Sequence, residues 1–286
     1  MKLLNTVELL QDAYKKGYAV PAINVDTTDS VIALLEKFQE LKAPVIIQIA
    51  PIQAHTRKIS YKSLINSIVA LGEDYDVTCA IHLDHGDDIE DVKVACESGF
   101  TSVMYDGSHK PFATNKANTS EIRSYTNGIG LEGELGIVGG NEGEESEDSV
   151  VADELYTNVQ QAIEFVGETH VDFFAVAIGN AHGTYSREPK LNFQRLEELR
   201  NALDMPLVLH GASGLPSEDI KKAIQLGVSK INFFTDVDYA FSSGVKQSMD
   251  ETPKGYGFKF YADGREEMKN KLEDIIEMCN CRGMLL

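Results

Sequence analysis

The stretch Val77-Thr-Cys-Ala-Ile-His-Leu-Asp-His-Gly86 joins an apolar run typical of a β-strand directly to two histidines and an aspartate. In a strand, His82 and Asp84 point to the same face. His85 comes at the predicted end of the strand, where its side chain can reach across a pocket. Imidazole beside carboxylate suits a metal centre with an adjacent proton-transfer group, but the same residues could simply hydrogen-bond within a loop. The rest of the chain decides between these alternatives.

Composition narrows the class of protein. The 286 residues are 43% hydrophobic, which is enough for a sizeable core, so disorder is not expected. The net charge of −19 argues against binding to nucleic acid, because no basic segment is dense enough to neutralise phosphates. A phosphorylated small molecule stays possible, since a metal ion and backbone amides can make a site locally positive.

The cysteines and the N-terminus indicate the compartment. Four cysteines, at positions 79, 96, 279 and 281, show no CxxC spacing and no disulfide framework, so we expect reduced thiols. The N-terminal residues lack the apolar core of a signal peptide, and no apolar run approaches the length of a membrane span. We therefore expect a cytoplasmic protein that does not associate with membranes.

The chain alternates between predicted strands and predicted helices. Eight strands are expected, at Tyr18–Val25, Ala43–Ala50, 77–84, Ser102–Asp106, Ile129–Leu135, Phe173–Ile178, Pro206–Leu209 and Lys230–Phe234. Helices are expected at Thr28–Leu41, 60–72, 89–98, 113–127, 158–168, 193–203, 217–226, 236–248 and 263–279.

This alternation predicts a (β/α)8 TIM barrel with an additional C-terminal helix, in a single domain over residues 1–286. A doubly wound open sheet is the alternative, but no linker interrupts the chain and no GxGxxG follows the first strand. The segment Gly139–Asp153 is too rich in glycine and charge to be a core element.

Polar residues fall at the carboxyl ends of the predicted strands, the face on which barrel active sites are built from the βα loops. They are His85, Asp106, Glu134, His182, His210 and Asn232. Three of the seven histidines of the chain follow three separate strands, which is the pattern of a catalytic zinc with three nitrogen ligands and one open position.

Two loops on the same face suggest phosphate binding. Gly211-Ala-Ser-Gly214 precedes the helix at 217, and Asn232-Phe-Phe-Thr-Asp236 precedes the helix at 236. In barrels, the loops after strands seven and eight commonly hold phosphate with backbone N–H groups at helix N-termini. Ordinary helix capping by serine and threonine explains either loop by itself. Beside a metal, phosphate binding is favoured.

These motifs together resemble the class II, zinc-dependent ketose-bisphosphate aldolases, in the same order and over nearly the whole chain. The motifs are His82-Leu-Asp-His85, Gly133-Glu-Leu-Gly136 with Gly139-Gly140, Gly179-Asn-Ala-His-Gly183, Leu209-His-Gly-Ala-Ser-Gly214 and Lys230-Ile-Asn-Phe-Phe-Thr235. Ala175-Val-Ala-Ile-Gly179 and the Cys279-Asn-Cys281 tail most resemble the tagatose-bisphosphate branch, and fructose-bisphosphate aldolases share the core motifs.

The resemblance implies cleavage of a ketose 1,6-bisphosphate to dihydroxyacetone phosphate and glyceraldehyde 3-phosphate through an enediolate that zinc stabilises. It implies Asp84 as the acid/base on the C4 hydroxyl and Glu142, on a mobile loop, as the proton carrier at C3. It further implies a monovalent cation and a homodimer or homotetramer. The implied zinc ligands are His85, His182 and His210, with Asp106 and Glu134 at a second divalent position. The implied dihydroxyacetone phosphate site comprises Gly183, Gly211, Ala212, Ser213, Asn232, Phe233, Phe234 and Thr235.

The chain departs from the family pattern at three places. Gln48-Ile-Ala-Pro-Ile-Gln53 replaces a small turn rich in Gly or Ser, and Asn141-Glu-Gly143 follows the paired glycines. Gly257-Phe-Lys259 stands where the family has Asp-Pro-Arg, so we expect Lys259 to contact the distal phosphate through a single ammonium group. These departures leave the zinc end intact and put the aldehyde partner in doubt, so a modified ketose phosphate is an alternative substrate.

Other function classes fit the sequence less well. A Schiff-base aldolase needs a lysine at the carboxyl end of a strand, whereas Lys230 opens the eighth strand at its opposite end. A metal-dependent hydrolase on this fold would not need two phosphate loops. A non-catalytic sugar-phosphate binder would not need Asp84 beside the metal.

Overall fold

A computed structural model describes residues 1–139, 145–146, 155–185 and 189–286, with the backbone alone at 145–146 and 184–185. Its strands are β1 (Lys2–Leu3), β2 (Val20–Asn24), β3 (Val45–Ile49), β4 (Thr78–Gly86), β5 (Ser102–Tyr105), β6 (Gly130–Leu135), β7 (Glu145–Ser146), β8 (Phe173–Val176), β9 (Thr184–Tyr185), β10 (Leu207–Leu209) and β11 (Val228–Phe233).

The helices surround these strands. They are α1 (Thr6–Lys16), α2 (Thr28–Glu40), α3 (Pro51–Arg57), α4 (Tyr61–Gly72), α5 (Ile89–Cys96), α6 (Phe112–Arg123), α7 (Val159–Thr169), α8 (Phe193–Leu203), α9 (Ser217–Gln225), α10 (Thr235–Glu251) and α11 (Gly257–Met278). No helix among the described residues combines the length and the apolar character needed to cross a bilayer.

Eight parallel strands close into a barrel. They follow the order β2, β3, β4, β5, β6, β8, β10 and β11, and β11 pairs with β2 to complete the ring. β1 pairs in parallel with the beginning of β4, where Lys2 lies opposite Thr78. The predicted (β/α)8 barrel is therefore confirmed, and so is the additional C-terminal helix, α11, which packs against α10 and α2.

The strands are buried on both faces, which explains their apolar sequences. All five residues of β3, Val-Ile-Ile-Gln-Ile, are buried. The polar residues of these strands point into the barrel. Three of them lie at the same level, since Gln48 pairs with Asn24 on one side and with His82 on the other. Polar side chains inside a wholly buried barrel need partners, and these side chains form the site.

Side-chain caps begin several of the helices. Thr27 accepts the backbone N–H of Ser30 in a capping box at α2, and the side chains of Asn5, Asp88 and Asn158 each accept a backbone N–H at the start of α1, α5 and α7. α11 begins at Gly257, six residues before the predicted start of the last helix. The helices α1 and α3 were not predicted from the sequence.

Candidate active site

The end of β4 brings two neighbouring residues, Asp84 and His85, to the same side of the barrel. Strict alternation would point them to opposite faces. The pairing of β4 with β5 shifts between Leu83 and Gly86, and His85 has a left-handed φ of 49°. This irregularity turns the imidazole of His85 toward Asp84, with 3.9 Å between His85 Nε2 and Asp84 Oδ1.

Three histidines from three parts of the barrel meet at its carboxyl end. The ring of His85 lies 4.9 Å from that of His182 and 4.6 Å from that of His210, measured between centroids. His182 follows β8, and its backbone N–H donates to Gly139 O at 2.7 Å. One nitrogen of each ring lies within 4.8 Å of the others, so the three predicted zinc ligands could share one ion.

Hydrogen bonds fix which ring nitrogen is available in two of these histidines. His210 Nε2 donates to Glu132 Oε1 at 2.7 Å, which leaves His210 Nδ1 facing the site. His85 Nδ1 donates to Asp106 Oδ2 at 2.9 Å, which leaves His85 Nε2. The two remaining nitrogens face each other at 2.8 Å. An ion shared by the two rings would bind to these two nitrogens.

The electrostatics of the imidazoles differ. Burial and the charge of His85 lower the pKa of both His182 and His210, so both rings are neutral. Burial alone would lower the pKa of His85, but Asp84, Asp106 and Glu134 raise it well above its usual value. Among the described residues, the buried His182 Nε2 has no hydrogen-bond partner. Neutral imidazole with an unoccupied nitrogen is the form that binds metal.

Asp106 and Glu134, predicted at a second metal position, lie on the other side of His85. One ligand atom of each lies within 4.8 Å of His85, but Asp106 Oδ2 already accepts from that ring and its Oδ1 accepts from Ser108. Burial and the nearby Asp106 raise the pKa of Glu134, and its buried Oε2 has no hydrogen-bond partner among the described residues, with His85 Nδ1 4.0 Å away. The two groups of ligands share His85.

The carboxylate of Asp84 is held from both sides. Asn232 Nδ2 donates to Oδ1 at 3.0 Å, and Asn24 Nδ2 donates to Oδ2 at 3.1 Å. Burial would raise the pKa of Asp84, but the positive charges of His85 and Lys230 outweigh it and lower the pKa. Asp84 is therefore an oriented anion beside the histidines, which is the state that a general base requires.

A small cavity adjoins the histidines and is formed by the loops after β8, β10 and β11. Gly211 has a φ of 62°, and a Cβ atom there would come within 2.2 Å of Ala181 O, so only glycine allows the two loops to approach this closely. The lining residues are His182, Gly183, Gly211, Ser213, Asn232, Phe234 and Thr235.

The remaining predicted site residues lie elsewhere. Phe233 packs into the hydrophobic core, because it alternates with the inward-facing Asn232. Ala212 lines a groove beside α9. Lys259 is exposed in the first turn of α11, where its ammonium makes no ion pair with another described residue. Glu142 lies outside the described residues.

The sequence pattern assigned no role in the site to several inward-facing polar residues. Asn24 and Gln53 connect Asp84 to the barrel rim, since Asn24 Nδ2 also lies 3.4 Å from Gln53 Oε1. Glu132 and Lys230 form an ion pair at 2.8 Å inside the barrel. Burial would raise the pKa of Glu132, but Lys230 and the histidines hold it well below its usual value. Charged residues inside apolar strands were the signal that could have identified this pair.

Comparisons with known proteins agree with this geometry. The family model described as class-II fructose-bisphosphate aldolase matches residues 4–284. The crystal structure of the YdjI aldolase from Escherichia coli K12 is 32% identical, with a TM-score of 0.86 over 99% of this chain and 100% of that one.

Two further solved structures are similar over nearly their full length. A putative fructose-1,6-bisphosphate aldolase from Coccidioides immitis is 28% identical, with a TM-score of 0.86 over 98% of both chains. The fructose-bisphosphate aldolase of Campylobacter jejuni is 25% identical, with a TM-score of 0.83 over 99% of this chain and 97% of that one. The family match, together with the barrel and its cluster of histidines, shows that this chain belongs to the class II fructose-bisphosphate aldolase family.

Proposed function

We propose that this aldolase cleaves and forms a ketose 1,6-bisphosphate, tagatose or fructose 1,6-bisphosphate, with dihydroxyacetone phosphate and glyceraldehyde 3-phosphate as the products of cleavage. One observation carries the proposal. The oriented carboxylate of Asp84 lies between two asparagine amides and next to three convergent histidines, beside a cavity that is lined by glycine and hydroxyl groups.

The donor set fits a divalent cation, and zinc is the ion we propose. His85, His182 and His210 would hold it, since two of these imidazoles are neutral and the buried His182 Nε2 has no partner among the described residues. When bound, zinc would supply positive charge beside the C2 carbonyl, where negative charge develops during cleavage.

The side chains around the substrate direct the proton and the electron pair. Asp84 takes the proton of the C4 hydroxyl as the C4–O bond becomes a carbonyl. The C3–C4 bond breaks, its electron pair stays on C3, and the aldehyde leaves. Asn232 supports this step from the same side, because its Nδ2 orients Asp84 and its buried Oδ1 has no partner among the described residues and can accept from a substrate hydroxyl.

The phosphate on C1 would occupy the glycine-lined cavity. The N-terminus of α10 begins there at Thr235, and Ser213 Oγ already accepts the N–H of Asp236 at 3.3 Å. Helix N-termini favour anions through their N–H groups and their dipole. We assign the proton delivered to C3 to Glu142.

A ketose 1-phosphate with a modified distal end is a second candidate. A cavity of about 210 Å³ next to Asn24 is lined by Asp26, Thr27, Ser30 and Asp238 among its polar residues. No cationic side chain of the described residues lines it, and Arg57 is paired with Asp26 at 2.7 Å. Carboxylates and hydroxyls favour hydroxyl groups over a second phosphate.

A substrate panel with metal removal tests both candidates. Initial cleavage rates are measured on tagatose and fructose 1,6-bisphosphates and on ketose 1-phosphates of different length, before and after EDTA treatment and with zinc added back. We expect cleavage that EDTA abolishes and zinc restores, and a His182→Ala protein that folds but retains no zinc. Full activity of the metal-free protein, or trapping of substrate by borohydride, would refute the metal-dependent reaction.

A further inference from the structure

A lysine and a glutamate are buried together inside the barrel, below the proposed metal site. Lys230 on β11 and Glu132 on β6 are each 0% exposed, and Lys230 Nζ donates to Glu132 Oε2 at 2.8 Å. Neither side chain lines the phosphate cavity. A buried ion pair carries a desolvation cost that apolar residues of similar size would avoid. A function beyond filling the core would account for its presence.

The other oxygen of Glu132 contacts a proposed metal ligand. Glu132 Oε1 lies 2.7 Å from His210 Nε2, and His210 is also 0% exposed. An ionised carboxylate can only accept hydrogen bonds, so the proton of this bond belongs to His210 Nε2. The neutral ring carries one proton, which leaves His210 Nδ1 without a proton, directed at His85 Nε2 at 2.8 Å and 3.2 Å from Asn232 Nδ2.

His85 has the opposite arrangement. Its Nδ1 donates to Asp106, and its Nε2 faces the site. The two rings therefore expose different nitrogens to the same point, and each choice is imposed by a different carboxylate. Asp106 lies at the rim of the barrel, whereas Glu132 lies inside it and has Lys230 as its cationic partner.

We propose that the Glu132–Lys230 pair positions the metal ligand His210, fixing the Nε2–H tautomer and the direction of the ring so that Nδ1 binds the ion. Lys230 donates to Oε2, which His82 Nε2 also approaches at 3.3 Å, and Oε1 is left for His210. Acceptors behind a ligating histidine raise its basicity and hold its orientation, and removing one lowers metal affinity by about 10- to 100-fold. This inference rests on the metal centre proposed above.

The tautomer can be measured without metal. In the metal-free protein labelled with ¹⁵N-histidine, long-range ¹H–¹⁵N correlation spectra distinguish the protonated nitrogen of each ring, and a His210→Gln protein identifies the signals of His210. We expect His210 to be protonated on Nε2 alone. Protonation on Nδ1, or an even mixture of the two tautomers, would overturn the proposal.

Zinc affinity then separates positioning from simple core packing. Competition with a chromophoric chelator gives the dissociation constant for zinc in the wild type, in Glu132→Gln and in the double variant Glu132→Gln/Lys230→Met. We expect both variants to bind zinc about 10- to 100-fold more weakly. The double variant removes both charges of the pair, so recovery of wild-type affinity in it would show that the pair only balances charge and would overturn the positioning role.

Thr169→Val provides the matched control. Thr169 is equally buried, but its hydroxyl donates to the Phe165 carbonyl at 2.7 Å within α7 and is not bonded to Glu132 or to its partners His82, His210 and Lys230. We expect wild-type zinc affinity in this protein, and a loss as large as that of Glu132→Gln would overturn the proposal. A wild type that binds no zinc would remove the metal centre and this inference together, whereas equal affinities in wild type and Glu132→Gln would remove only the inference.

Discussion

Asp84 has an environment that fixes both its charge and its direction. Each carboxylate oxygen accepts one amide N–H, from Asn232 and from Asn24, and both amides come from other strands of the barrel. A base held in this way needs little reorientation when the substrate hydroxyl arrives, which is the condition for efficient proton transfer.

Asp84→Asn is expected to lower kcat for cleavage by about 10²- to 10⁴-fold, because an amide cannot take the C4 hydroxyl proton. The measurement is the steady-state cleavage rate, with zinc content determined on the same preparation. Asn24→Ala serves as the comparison. It removes one of the two bonds to Asp84 but leaves the base, so its loss should be smaller. Half of the wild-type rate in Asp84→Asn would exclude Asp84 as the base.

The sequence identified residues that carry a recognisable chemical pattern and missed those that do not. Histidines at separate strand ends predicted the cluster of His85, His182 and His210, and the structure brings these three together. Asn24 and Glu132 have no spacing signature, because their roles come from partners on other strands. The left-handed turn at His85 is equally invisible, since nothing in the local sequence requires it.

The loop after β10 approaches the loop after β8 at Gly211. Gly211→Ala is expected to destabilise the protein by about 1–3 kcal/mol and to raise KM for the substrate. A left-handed alanine is strained, and its Cβ would displace the Ala181 carbonyl beside His182. Urea unfolding and substrate-dependent rates measure the two effects.

Gly17→Ala is the matched control for Gly211→Ala. Gly17 also has a left-handed φ, 74°, but a Cβ there would meet no atom within 4 Å. It should lose about 1 kcal/mol of stability from strain alone and retain the wild-type KM. If Gly211→Ala matches Gly17→Ala in both measurements, the close approach of the two loops has no effect on the site.

The beginning of α10 contains a carboxyl group with an unusual pKa. Burial and the neighbouring Asp26 raise the pKa of Asp238 to about 6. Folding therefore disfavours ionised Asp238. The resulting destabilisation is absent below the unfolded pKa of about 4, grows between pH 4 and 6, and is constant above pH 6.

Asp238→Asn is expected to stabilise the protein at pH 8 and to have almost no effect at pH 4. The gain should stay below about 1 kcal/mol, because the residue is partly exposed and the solvent screens its charge. Free energies of unfolding in urea at the two pH values provide the measurement. A change of equal size at both pH values would assign the effect to something other than ionisation.

Sequence patterns located most elements of the barrel to within a few residues. The clearest failures are α1 and α3. The helix α3 has only seven residues and begins at Pro51, and a segment this short does not develop a helical repeat of apolar residues. The predicted start of α11 is too late, because the helix begins with a glycine and with the exposed Phe258, which do not contribute to an apolar helical repeat.

At the scale of the whole molecule, the three histidines are held by separate parts of the ring, at β4, after β8 and after β10. An ion bound to all three would join these parts and favour the folded state, because the unfolded chain does not bring the ligands together. The alternation of strands and helices predicts the barrel, but it does not reveal this link between separate parts of the barrel.

Zinc removal is expected to lower the melting temperature of the protein. Zinc at 100 times its dissociation constant should add about 2.7 kcal/mol to the free energy of unfolding, or roughly 4–5 °C in melting temperature for a chain of this size. Differential scanning calorimetry with and without EDTA measures the shift, and His182→Ala should show none. An unchanged melting temperature after the loss of bound zinc would mean that the ion does not link these parts of the barrel.

The hydrogen atom between His210 Nε2 and Glu132 has no route to water in the closed barrel, since both residues are completely buried. It can be replaced by deuterium only when the strands around it separate. The exchange rate of this single hydrogen atom therefore measures how often the barrel opens beside the site.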